Sequence, residues 1–116
     1  MRKLEIGTEK YTQVFAADEK EFNANHVYQV VRVEDLTGVL TVVTFQKGPI
    51  KENGVNGCCN EDLIAMVIDR LNSFQESEYK CRENALVVTK LEEALHWLNH
   101  RTAKRVARGV EGTNKV

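Results

Sequence analysis

The chain has 116 residues, 42% of them hydrophobic and 28% charged, with one proline: enough for one folded domain and too little for two independent cores. A formal net charge of -1 excludes the global positive field of a general DNA-binding protein, so any anion must be met by a local cluster of bases. Three cysteines, two of them adjacent at Cys58 and Cys59, make no disulfide framework and point to a reducing compartment, and no stretch has the length of a signal peptide core or a membrane span.

In chain order, "LEIG" (Leu4 to Gly7) and "KYTQVF" (Lys10 to Phe15) are candidate strands. "HVYQVVRVE" (His26 to Glu34) and "GVLTVVTFQ" (Gly38 to Gln46) are rich in β-branched and aromatic residues, and "DLTG" between them carries turn chemistry, which predicts a hairpin. "KGPIKENGVNG" (Lys47 to Gly57) is a connection punctuated by glycine and proline, with room for a short strand; it carries Lys47 and Lys51.

The chain changes character near Cys59. Asn60 reads as an N-cap, with Glu61 and Asp62 in the first turn where the helix dipole favours them, and the helix should run to Gln75. Leu63, Met66, Val67, Leu71 and Phe74 recur at helical spacing and predict a buried face, widened by Ile64 and Ile68. A second helix should begin between Ser77 and Tyr79 and run to Arg108, roughly 45 Å at 1.5 Å per residue. Its seam of Cys81, Ala85, Val88, Leu91, Leu95, Leu98 and Thr102 is longer than the first helix can cover, and this mismatch predicts a homo-oligomer. The expected fold is α+β: one domain over 1–116, with an N-terminal antiparallel sheet in 1–59, two C-terminal helices in 60–108, the second one long, and a tail over 109–116.

Arg101, Arg105 and Arg108 fall on one face of the second helix, with Trp97 one turn earlier. An aromatic plate followed by guanidinium forks suits a base and its phosphate, while a solvated helix end whose cations complement the C-terminal dipole has the same pattern. Gly109 and Gly112 stop the helix and also let backbone N–H groups approach an anion. His96 and His100 have a spacing legal for two metal ligands, but no third ligand joins them, and Cys58 and Cys59 lack a paired CxxC; no metal is expected. No nucleophile elbow or phosphate loop is present, and Glu92 and Glu93 point about 100° apart on a helix, so neither catalysis nor a cofactor is expected. Phe74 and Asn84 flank the connection between the helices; from spacing alone, Phe74 reads as core and Asn84 as an exposed polar residue.

"NEDLIAMVIDRLNSFQ", "KCRENALVVTKLEEALHWL" and "RTAKRVARGVEGT" together resemble the phage Thoeris anti-defense 1 family of nucleotide sponges, and the ending is also similar to that of phage anti-CBASS sponges. The likeness is strong over the helical half and extends into "EFNANHVYQVV" and "FQKGPIKENGVNG". It implies a protein in the cytoplasm of the infected bacterial host that binds glycocyclic ADP-ribose (gcADPR), the signal of TIR-domain defence enzymes, without cleaving it, with cyclic di- or trinucleotides as further ligands. It also implies a dimer through the helices, a hexamer of such dimers, and no role for long nucleic acid or membrane. By motif, Phe74 in "LNSFQ" would stack on adenine and Asn84 in "CRENAL" would hydrogen-bond the ligand. Arg101 and Arg105 in "HRTAKR" match arginines that face phosphates at a second site. The chain departs from the pattern after the hairpin, where it offers Lys47 and Lys51 but no arginine, and lysine lacks the bidentate fork.

Two other classes remain open on the residues alone. One is a nucleic-acid-binding or regulatory homodimer that uses the basic helix end, marked by salt-dependent binding to oligonucleotides of many lengths. The other is an enzyme that degrades the same signal, marked by recovery of altered ligand.

Overall fold

A computed structural model describes residues 1–116, and the fold class is the expected one: an antiparallel sheet followed by helices, the last of them long. The chain forms two compact units, Met1–Cys58 and Cys59–Val116, divided where the composition changes.

The first unit is a four-stranded meander in the order β1 (Arg2–Lys3), β2 (Thr12–Ala16), β3 (Val27–Arg32) and β4 (Val39–Thr44), with every neighbouring pair antiparallel. The β3–β4 hairpin is the one read from the β-branched runs, and Asp35 fixes its turn by accepting the N–H and hydroxyl of Thr37. A register shift at Val30/Val31 sets Val31 opposite Val39. Val31 and Ala16, each 1% exposed, lie at its centre, and Tyr28 meets Phe45 edge to face at 5.7 Å.

The strand expected at Leu4–Gly7 forms instead at Arg2–Lys3: Leu4 still donates to Val14, but the chain then bends away at Gly7, whose φ of 106 is open to glycine. The connection after the hairpin holds no strand of its own. Pro49 sets the start of a one-turn helix, α1 (Ile50–Asn53), since its fixed φ suits a helix entry. The segment is tied down by Asn56, whose side chain bonds the N–H and the carbonyl of Lys47, and by Gln46, which donates to Gly48 and Gly54.

Asp18 pins the β2–β3 connection, accepting the N–H groups of His26 and Val27 and the Asn25 amide. Burial pushes its carboxyl up, but the hydrogen bonds from Val27, His26 and Asn25 outweigh this and hold it below the ordinary value of 3.8.

The second unit is a helical hairpin of α2 (Asn60–Gln75) and α3 (Arg82–Ala107). Cys59, one residue before the expected Asn60, is the N-cap of α2, and Asp62 returns a bond to its backbone, completing a capping box. α3 begins at Arg82, later than the Ser77–Tyr79 start expected, because Ser77, Tyr79 and Lys80 form a turn on the end of α2 and the Cys81 thiol then caps α3 by accepting from Asn84. At 26 residues α3 is about 39 Å long. The Gln75 side chain clasps the connection, donating to the Cys81 carbonyl and accepting from its N–H.

One helix covers only part of its partner. Leu63, Ile64, Ile68 and Leu71 of α2, and Asn84, Val88, Leu91, Leu95 and Leu98 of α3, are half-buried, while Met66, Val67 and Phe74, expected inside, are exposed. In the α3 seam Asn84 takes the half-buried position expected of Ala85, and Thr102 is exposed. The apolar stripe of α2 is wider than the face one helix can occlude, so its flank stays open. No helix is long and apolar enough to cross a membrane.

Candidate functional site

Two concave sites lie in the helical unit. The first, about 570 Å³, is lined by Asp69, Arg70, Ser73, Phe74, Ser77 and Tyr79. Phe74 is held here because α2 ends one residue later at Gln75, so its ring stands at the mouth of the connection, 38% exposed. The Arg70 guanidinium lies 5.4 Å from the ring centroid, one helical turn back. The Tyr79 hydroxyl and the Asp69 carboxylate supply a donor and an acceptor around an aromatic plate, while the Ser73 hydroxyl is held by the Asp69 carbonyl at 3.2 Å. The Ser77 hydroxyl is already committed to the Phe74 carbonyl at 2.6 Å, which fixes the wall of the site.

Asn84 does not line that cavity. It sits half-buried in the first turn of α3, its backbone N–H on the Cys81 sulfur at 3.4 Å and its side-chain amide without a partner within the chain.

The second site, about 740 Å³, is at the other end of α3. Trp97, His100, Arg101, Lys104, Arg105 and Arg108 line one side and Thr113 to Val116 the other. The structure thus brings Arg101 and Arg105 into one cavity, with Trp97 65% exposed beside them. The cationic face follows from spacing, because positions 97, 101, 104, 105 and 108 all fall within a third of the helix circumference. His96 and His100 stack at 6.3 Å with ring planes 13° apart, and Trp97 stands edge-on to both; no third His, Cys, Asp or Glu joins the histidines in a cluster.

Lys47 and Lys51 belong to the sheet unit. Lys47 is paired with Glu21 at 3.2 Å, and Lys51 is exposed on α1.

Sequence reasoning did not single out Arg70, Tyr79 or the wall formed by Thr113 to Val116. Arg70 was reachable, since it lies four residues before Phe74 on the same face; Tyr79 and the last residues were not, because their positions depend on turns whose hydrogen bonds no periodicity encodes.

A family model described as "Acb2/Tad1, hairpin domain" matches residues 39–103. The chain is similar to Thoeris anti-defense 1 of Bacillus phage SBSphiJ7, with 49% identity over 141 aligned positions, covering 99% of this chain and 99% of the relative.

Proposed function

The chain belongs to the Acb2/Tad1 hairpin-domain family, and on that premise we propose that it is a phage anti-defence protein that binds and sequesters gcADPR without cleaving it, so blocking Thoeris immunity in the host cytoplasm. The observation that carries this reading is Phe74: a large aromatic ring left open at the mouth of a polar-rimmed cavity, in a chain whose relative is named for anti-Thoeris action. An adenine ring stacks on Phe74, and the Arg70 cation on the same ring strengthens the platform. Asn84 completes the recognition with its unpartnered amide.

A second site for the phosphates of cyclic di- or trinucleotides is proposed at the basic end of α3, where Arg101 and Arg105 meet Trp97. Lys47 and Lys51 are the lysines proposed to assist it. The open flank of the hairpin, with Met66, Val67 and Val87 exposed, supports a homodimer through the helices, itself able to assemble into a hexamer.

The test is calorimetric titration with gcADPR, followed by heat denaturation and chromatography of what is released. Saturable binding with intact ligand recovered supports the sponge. Altered ligand would make the protein an enzyme, and salt-dependent binding to oligonucleotides of many lengths in place of gcADPR would favour the nucleic-acid-binding alternative.

A further inference from the structure

The residues after α3 are folded back on it. Arg108 is the C-cap and Gly109, at φ 73, takes the left-handed position that follows. The N–H of Val110 bonds to the Arg105 carbonyl at 3.0 Å and that of Gly109 to the Val106 carbonyl at 3.0 Å, which is a Schellman closure. Val110 is buried, and Thr113 turns back to donate both its N–H and its hydroxyl to the Val110 carbonyl.

Arg105 holds this turn. Its Nη2 donates to the Val110 carbonyl at 3.0 Å and to the Thr113 carbonyl at 3.1 Å, so both Nη2 hydrogens are spent. A guanidinium grips a phosphate bidentately either through Nη1 and Nη2 or through Nε and Nη2, and both forks pass through Nη2. Arg105 therefore has no bidentate grip left while the turn is closed. The side chains of Arg101 and Lys104 line the same cavity and make no hydrogen bond or ion pair within the chain, and the folded segment brings Lys115 to the opposite wall.

Resting on the second-site reading above, we infer that Arg105 is a positioning residue: it clamps residues 109–116 as one wall of the basic cavity and leaves the anion to Arg101, Lys104 and Lys115. The site would take a compact phosphodiester ring that fits between two walls, not a long backbone.

The experiment titrates the full chain with cyclic triadenosine monophosphate and follows amide hydrogen exchange at Val110 and Thr113. Gly109→Val serves as an independent way to open the turn, because a β-branched residue is strained at positive φ while a Cβ there meets nothing within 4 Å. Arg101→Gln should weaken binding about tenfold or more, the loss of one charged fork, with exchange unchanged. Arg105→Gln and Gly109→Val should each weaken binding and speed exchange at both amides, and the double variant should bind no worse than the weaker single one, as two changes acting through one element require. Losses that multiply in the double variant, or protection that survives Arg105→Gln, would overturn the clamp. Arg105→Lys keeps the cation but not the planar Nη2 group, so protection should still fall. Wild-type protein that ignored the cyclic trinucleotide would sink the second-site reading and the phosphate assignment, whereas exchange in Arg105→Gln would still decide the clamp; unchanged gcADPR binding and helical dichroism certify each variant as folded.

Discussion

Phe74→Ala tests the proposed adenine platform most directly. The ring is 38% exposed, so of the roughly 200 Å² a phenylalanine can bury, about 75 Å² is available to a stacked base. At about 25 cal/mol per Å² this amounts to about 2 kcal/mol, within the range of about 1–3 kcal/mol for base–aromatic stacking. Binding of gcADPR measured by calorimetry should weaken about 30-fold, since about 1.4 kcal/mol corresponds to a factor of ten. The thermal midpoint without ligand should also fall, because truncation removes the covered part of the ring together with the exposed part, so binding is compared well below that midpoint on folded protein. Phe74→Tyr, which keeps the plate, should retain most of the affinity. Undiminished gcADPR binding by folded Phe74→Ala would refute the platform and return Phe74 to a purely packing role.

Three further outcomes follow from the structure. Asp18 has a folded-state value below the ordinary 3.8, so its stabilisation is present above that value and is lost as pH falls through the folded value; urea midpoints should drop with acid, and Asp18→Asn should flatten that dependence. Gly57→Ala drives a Cβ into the Phe45 carbonyl and toward Thr44, at a cost of about 1–3 kcal/mol read as a lower thermal midpoint, while Gly54→Ala meets no atom and should lose stability only through its positive φ. On the proposed association through the helices, sedimentation should show a mass above 13.2 kDa, and Met66→Glu with Val87→Glu should lower it without loss of helical dichroism.

What was legible in the sequence is what repeats. The β-branched runs of β3 and β4 and the seven-residue recurrence along α3 gave their elements to within a few residues, because side-chain period follows backbone geometry. The short elements were not legible: one hydrogen-bonded turn decides whether Ile50–Asn53 coils, and the start of α3 was set by a thiol cap that no common capping preference announces. The stripe of α2 was read as one buried face, but periodicity reports how much apolar surface a helix carries and not how much its partner covers. The basic face of α3 was visible as charge, and its division of labour was not, since Arg101 and Arg105 differ only in what the folded residues 110–113 do with one nitrogen.

The open flank of the hairpin and the proposed ligand site share Phe74, and that has a thermodynamic consequence. No residue of α2 or α3 is fully buried within the chain, and a two-helix hairpin that buries so little is marginal by itself. Exposed apolar residues beside Phe74 on α2 lower the free energy of the free chain when something covers them, whether a second copy or the base of a ligand. If copies associate through that flank and the ligand is held there, each event removes part of the cost of the other, and linkage requires the two affinities to rise together by the same factor. A signal enclosed between chains also leaves only when the assembly opens, so the coupling lengthens residence time, the property that separates a sponge from a protein that merely binds.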